Sequence, residues 1–204
     1  MGVPDVTVIV PLRDQEKRVA ATIRGADEVG QYVTRPEEAA QDPISLEIVA
    51  LDERSGDNTL SVLSLLHGQL SSLRTLQDLD RGSAIRRAAS VARGGAWLVI
   101  DHPVDPRLAA WGINQVLRGQ RAAIIPGELL AVDRALGLSV LGGLRGGLVS
   151  AQRAVARTLR KQNVPPAWIP PAEHGPVQRA RLFVRGQLPR LGISWLDKPS
   201  QTGR

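Results

Sequence analysis

The chain reads as an α/β protein, a mostly parallel sheet with helices packed on both of its faces. Three observations predict this. Apolar, β-branched runs recur along the first half, VTVIVPL (6–12), SLEIVAL (45–51) and AWLVI (96–100), and stretches of helical period separate them. Alternation of that kind builds a parallel sheet whose strands are buried on both faces. Polar turns rich in carboxylates follow these strands at once, and in such sheets ligands bind beyond the carboxyl ends of the strands.

The first run, Val6 to Leu12, is a buried strand. From Asp14 to about Val29, DQEKRVAATIRGADEV sets Val19, Ile23 and Val29 on one stripe behind an acidic first turn. That is an amphipathic helix with Asp14 as its cap. RPEEAAQDP (35–43) is a polar connection. The second strand runs from Ser45 to Leu51, and Asp52 follows it directly. After DERSGDN, TLSVLSLLHGQL (59–70) is helical by period, and LRTLQDL (73–79) is a short third strand at an edge. RGSAIRRAASVARGG (81–95) predicts a helix with Ile85, Ala89 and Ala92 inward and its arginines outward. AWLVI is the fourth strand. Beyond Pro106, a helix from Arg107 to Leu117 leads to another strand, AAIIP (122–126). A long helix pair follows, then a Pro-rich segment, VPPAWIPPAEHGP (164–176), a closing helix and the short strand GISWL (192–196).

A length of 204 residues suits one domain, and 43% hydrophobic residues supply a core. Aromatics are only 3%, so Leu, Val, Ile and Ala must build it. The absence of cysteine excludes disulfides and thiolate metal sites. Net charge is +6 and the pI about 10.8, and Lys17, Lys161 and Lys198 are the only lysines, so the charge is arginine. A basic surface attracts phosphorylated ligands, anionic lipid or nucleic acid. Here the charge is spread evenly, without basic blocks or interleaved aromatics, which argues against a nucleic-acid binder. No leader-like segment or uncharged span of membrane length is expected. The nearest stretch, Glu128 to Val149, is interrupted by Asp133, Arg134 and Arg145, and suits either a core helix pair or a segment lying on a membrane surface.

Three turns carry candidate chemistry. In LDERSGDNT, Asp52 and Glu53 stand on the rim, Gly56 allows a tight turn, and Asp57 with Thr59 caps the next helix. A carboxylate there can accept hydrogen bonds from a ribose or a base N–H; the same residues also make an ordinary capped turn. In DRGSAIRR, helix-start N–H groups beside Arg81, Arg86 and Arg87 form an anion site, a pattern shared by many surface helices. In IDHPVDP, Asp101 is an oxygen ligand for Mg²⁺ or Mn²⁺ and His102 a borderline ligand or base. Pro103 has nothing to bind with, so Asp105 would bend back as the second carboxylate. Alternatively, Asp101 simply ends the strand and Asp105–Pro106 starts a helix. His67 and His174 are incidental. No Gly-x-Ser-x-Gly, phosphate-binding P-loop or metal-spaced His cluster occurs.

Taken in order, VTVIVPLRDQEKRVAATI, EIVALDERSGDNTL and RGSAIRRAASVARGGAWLVID resemble the opening, the Asp-Asp-Gly-Ser-x-Asp-x-Thr loop and the lead-in to the metal strand of nucleotide-diphospho-sugar glycosyltransferases. The resemblance is to GT-A fold, family 2 enzymes, nearest the short dolichyl- or polyprenyl-phosphate sugar synthases. GGLVSAQRAVARTL and RLFVRGQLPRLGISWLDKP are similar to later segments of the family, so the resemblance covers about Val6 to Pro199. It implies one GT-A-like domain over 1–204, with a nucleotide-binding half to residue 106 and an acceptor half after it. It also implies that Pro11, Arg13, Asp14, Asp52, Glu53, Arg54, Ser55, Arg81 and Arg86 bind the nucleotide of a nucleotide-diphosphate sugar, and that Asp101 with Asp105 holds Mg²⁺ or Mn²⁺. The implied acceptor is a lipid-linked or other hydroxyl or phosphate, and the implied place is the cytoplasm, at the membrane surface for a lipid acceptor. The chain departs from the family at Glu53 (usually Asp), Arg54 (usually Gly) and Pro103 (usually the second Asp of Asp-x-Asp). The alternative is a catalytically impaired GT-A-like protein kept for binding or as a partner subunit.

Overall fold

Strand β1 (Val6–Leu12) is buried at every position, as a β-branched run covered on both faces requires. A computed structural model describes residues 2–34 and 43–168. His174, the closing helix and the strand GISWL lie outside the described residues, as does most of the 35–43 connection. In chain order, β1 is followed by α1 (Glu16–Glu28) with a short 3₁₀ turn (Val29–Gln31), β2 (Leu46–Asp52), α2 (Thr59–His67), β3 (Leu73–Leu76) and α3 (Ala84–Ala89). Then come β4 (Ala96–Val99), α4 (Pro106–Leu117), β5 (Ala122–Ile125), β6 (Leu129–Asp133), α5 (Arg134–Leu141) and α6 (Leu148–Lys161).

The strands form one six-stranded sheet ordered β3-β2-β1-β4-β6-β5. β3, β2, β1 and β4 are mutually parallel; β6 runs antiparallel to both β4 and β5. Successive side chains of β1 feed two cores. Val6, Val8, Val10 and Leu12 pack with Val19 and Ile23 of α1, Leu63 of α2 and Ile113 of α4. Ile9 packs on the other face with Trp97, Ile85 of α3, Leu136 of α5 and Val155 of α6. Each such buried Val, Ile or Leu contributes about 1.5–3 kcal/mol.

The segment expected to open a helix pair instead begins with β6. The cause is a turn: Ile125-Pro126-Gly127-Glu128 closes with Glu128 N–H donating to the Ile125 carbonyl at 3.0 Å, and Gly127 has φ +74°. Proline then glycine at the two central positions makes a type II turn, and this one joins two apolar runs into a hairpin. Helix α3 is also shorter than expected, ending before the Gly94–Gly95 turn that leads into β4.

At the amino end of β2, Glu47 is 4% exposed and carries a charge. It accepts hydrogen bonds from Thr7 Oγ1 (2.7 Å), from Arg93 N, Nε and Nη2 (2.8, 3.0 and 2.8 Å) and from Arg74 Nη1 (3.0 Å). Burial alone would raise its pKa; the bonds from Thr7 and the two arginines outweigh that and hold the carboxyl below its ordinary value. This strap ties β1, β2, β3 and the entry to β4 together at the end of the sheet away from the candidate site.

Candidate functional site on the carboxyl rim

The chain runs outward from β1 through β2 to β3, then crosses to β4 on the other side of β1. Strand order therefore reverses between β1 and β4, and open α/β sheets place their ligands beyond the strand ends at such a reversal. Arg13 and Asp14 leave β1 there, and Asp101 and His102 leave β4. The predicted polar turns do gather along this rim.

Two of them interlock. Asp14 has a left-handed backbone (φ +50°), and its Oδ1 accepts from Gly56 N–H at 2.7 Å, while its own N–H donates to Ser55 Oγ at 3.0 Å. It is therefore not the cap of α1; Gln15 takes that position, and Asp57 Oδ2 accepts the Glu16 N–H at 2.9 Å from across the rim. Asp57 Oδ1 also accepts from the Thr59 hydroxyl and from Thr59 N–H at 3.0 Å; burial opposes the charge, but the hydroxyl bond and these backbone bonds hold the Asp57 carboxyl below its ordinary value. Pro11 is buried inside β1 opposite Leu51.

The carboxylates after β2 face inward. Asp52 is fully buried, and its two oxygens accept from the hydroxyl and the N–H of Ser55, closing the turn. Glu53 reaches the start of α3, where its oxygens accept from Gly82 N–H (2.8 Å) and Ala84 N–H (2.9 Å). The helix-start N–H groups expected to receive an external anion are thus taken by the chain's own carboxylate. Arg54 carries a left-handed backbone (φ +54°), the conformation a glycine would adopt without cost, and its guanidinium lies 3.2 Å from Asp80 in an exposed ion pair.

Beside these turns, at the ends of β2 and β3, is a cavity of about 420 Å³ lined by Arg54, Asp78, Asp80, Ser83, Arg86 and Arg87 among others. Arg86 and Arg87 come from the outward face of α3, and Arg86 makes no ion pair among the described residues. Arg81 is exposed and is not part of this lining. Arginine guanidinium groups in a concave polar site suit a phosphate or diphosphate, which they bind with two parallel N–H···O bonds.

The end of β4 departs most from expectation. Asp105 does not turn back toward Asp101: it is the N-cap of α4, accepting from Arg107 N–H at 2.9 Å. Asp101 Oδ1 instead lies 2.7 Å from His102 Nδ1, and His102 Nε2 lies 2.9 Å from Oε2 of Glu128, at the β5–β6 turn. His102 and Glu128 are only 7% and 8% exposed. A neutral imidazole has one N–H, so a ring hydrogen-bonded to carboxylates through both nitrogens is the imidazolium. Burial opposes that charge; the bonds to Asp101 and Glu128 outweigh it and push the His102 pKa up to about 8. Gln152 of α6 holds the same turn: its amide donates to the Ile125 and Leu129 carbonyls, both at 2.9 Å, and accepts from Gly127 N–H at 3.0 Å. Glu128 and Gln152 had no sequence signal beyond the Pro-Gly dipeptide.

These donors do not suit a divalent cation. Pro103 has none, Asp105 is engaged at a helix start, and one oxygen each of Asp101 and Glu128 is engaged by His102. Among the described residues, no group of three or more His, Cys, Asp or Glu is placed to hold a metal.

No protein family and no curated protein matches the chain. Solved structures do match. A mannosyltransferase from Pyrobaculum calidifontis, in complex with GDP-mannose and Mn²⁺, is 19% identical with a TM-score of 0.57 over 94% of this chain and 65% of its own. Glucosyl-3-phosphoglycerate synthase from Mycobacterium tuberculosis, in complex with UDP, is 15% identical with a TM-score of 0.57 over 93% of this chain and 81% of its own. The same enzyme with Mn²⁺, UDP-glucose and phosphoglyceric acid matches at 15% identity and 0.57. The fold is theirs: a GT-A, Rossmann-like arrangement. This chain spans about two thirds of the mannosyltransferase's length.

Proposed function

We propose that this chain binds a nucleotide-diphosphate sugar on its carboxyl rim and transfers the sugar to an acceptor oxygen. The observation that carries the reading is the arginine-lined cavity beside the β2 turn, on a fold whose matched structures hold GDP-mannose, UDP or UDP-glucose. Arg54, Arg86 and Arg87, with Arg13 at the end of β1, would face the diphosphate. Asp52, Glu53 and Ser55 would shape the turn that receives the nucleoside. In the transfer, the bond from the anomeric carbon to the diphosphate oxygen breaks and one to the acceptor oxygen forms. Guanidinium groups neutralise the charge that collects on the departing diphosphate.

An ionised phosphate acceptor needs no general base, whereas a hydroxyl does. Both nitrogens of His102, the histidine of this rim, are engaged, which favours a phosphate-bearing acceptor. A lipid phosphate is the form we favour, and the exposed Leu138 of α5 with Arg134 and Arg145 supports contact with a membrane surface. No helix among the described residues is long and apolar enough to cross a membrane. The Mg²⁺ or Mn²⁺ that the resemblance implies does not fit the donors at the end of β4, so no step is assigned to a cation.

A second reading, nucleotide binding without turnover, is favoured by one observation: the position of the second metal carboxylate is Pro103. Calorimetry with UDP and GDP, followed by incubation with the matching nucleotide sugar and a polyprenyl phosphate, separates the two. Binding with transfer supports the first reading. Binding alone leaves the second, and no binding removes both.

A further inference from the structure

The disagreement between the fold and the donors at the end of β4 has a specific form. Metal-binding GT-A relatives such as the mannosyltransferase above were solved with Mn²⁺. Here the end of β4 carries a bridge, carboxylate to imidazole to carboxylate, from Asp101 through His102 to Glu128. The bridge joins the end of β4 to the β5–β6 turn, and Gln152 fixes that turn from α6 through three hydrogen bonds. His102 and Glu128 are buried, so their half of the bridge is shielded from water and salt, while the Asp101 side chain is 39% exposed.

We propose that this clasp takes the place of the divalent cation, so that the rim site of this chain works without a bound metal. The proposal deepens the glycosyl-transfer reading and rests on it only for what the site binds. Three features carry it. A cation at this place needs carboxylate oxygens facing one point, and Pro103 removes the second of the usual pair. Asp105, the nearest substitute, is held by the start of α4. Both nitrogens of His102 are turned to carboxylate oxygens, so neither faces an open coordination point. Neutralising the diphosphate then falls to the arginines of the neighbouring cavity.

The test reads the metal directly. Mn²⁺ is titrated into the full-length protein and followed by electron paramagnetic resonance, alone and with UDP or GDP; nucleotide binding is measured separately by calorimetry in EDTA and in Mn²⁺. For the wild-type chain we expect no protein-bound Mn²⁺ and nucleotide dissociation constants within about twofold in the two buffers, less than 0.5 kcal/mol. His102→Ala combined with Pro103→Asp removes the imidazole from between Asp101 and Glu128 and restores the second carboxylate. We expect that variant, if its circular dichroism is native, to acquire a Mn²⁺ signal. Mn²⁺ bound by the wild-type chain and lost in Asp101→Asn would overturn the proposal, as would a natively folded double variant that stays free of metal. Failure of UDP and GDP to bind in either buffer would instead remove the glycosyl-transfer reading, and the Mn²⁺ titration would still decide the clasp.

Discussion

His102 has both ring nitrogens within 2.9 Å of carboxylate oxygens while almost wholly buried, so its charge is part of how this region folds. Its folded pKa, about 8, lies above the ordinary 6.5. A group with a raised folded pKa contributes stability that is complete below its unfolded value and is lost as pH rises through the folded one. The rise from 6.5 to about 8 corresponds to about 2 kcal/mol. We expect urea-unfolding free energy to fall by about this amount from roughly pH 6 to pH 9, and His102→Gln to flatten that slope. Equal slopes for the two proteins would rule the linkage out. Glu47 has the opposite sign: its folded pKa is depressed, so its contribution is present above 4.5 and lost as pH falls through the folded value. Glu47→Gln removes the negative charge and sets an NH2 donor against the donors of Thr7, Arg93 or Arg74, and because both arginines are half exposed the expected loss is about 3 kcal/mol at neutral pH, measured by the same unfolding. Asp101 and His102 were legible as chemically interesting because they follow an apolar run. Glu128 was not, since 26 residues, with α4 and β5 among them, separate it from His102.

At the scale of elements, the parallel strands were readable and the antiparallel hairpin was not. Runs such as Val6–Leu12 are β-branched and too short for a helix, so composition and length agree. LLAVD, by contrast, is followed by RALGLSVL with no break, and a short apolar run cannot be assigned to strand or helix by period alone. What makes it a strand is pairing with β4 and β5, set by the turn at Pro126–Gly127. Gln152 clamps that turn, and Gln152→Leu would remove the acceptor of the Gly127 N–H and the amide donor to the Ile125 and Leu129 carbonyls, a loss of about 3 kcal/mol. Because the turn also presents Glu128 to His102, a cycle of Gln152→Leu and His102→Gln should be non-additive by about 1 kcal/mol. Strict additivity would show that the clamp and the clasp act independently. Packing of α5 on the sheet was equally invisible in sequence: a Cβ at Gly137 would lie 2.5 Å from the Trp97 ring. Gly137→Ala should therefore cost about 1–2 kcal/mol in unfolding free energy, overpacking exceeding the gain in helix propensity.

For the whole molecule, alternation and apolar period were enough to give the sheet and its rim, because a parallel sheet forces its turns to one edge. They could not tell which rim carboxylates face outward, since that depends on local hydrogen bonds such as those of Asp52 with Ser55 and Glu53 with α3. The arginines were left as the outward-facing charge, and the net charge of +6 adds a long-range field of the same sign. An anionic ligand held by exposed guanidinium groups must weaken as salt screens them, with a Debye length that shrinks from about 10 Å at 0.1 M toward 3 Å at 1 M. UDP or GDP should accordingly bind several-fold more weakly at about 0.5 M than at about 0.05 M salt. Arg86→Gln with Arg87→Gln should cost about tenfold or more in affinity and remove most of that salt dependence, with the unfolding midpoint unchanged. Arg153→Gln and Arg157→Gln, on the exposed side of α6, alter net charge by the same amount and serve as the control. Local contact requires the α3 pair to act and the α6 pair to be nearly silent. If both pairs reduce affinity equally, the cavity at the ends of β2 and β3 is not where the diphosphate sits, and only the general field of the protein draws it in.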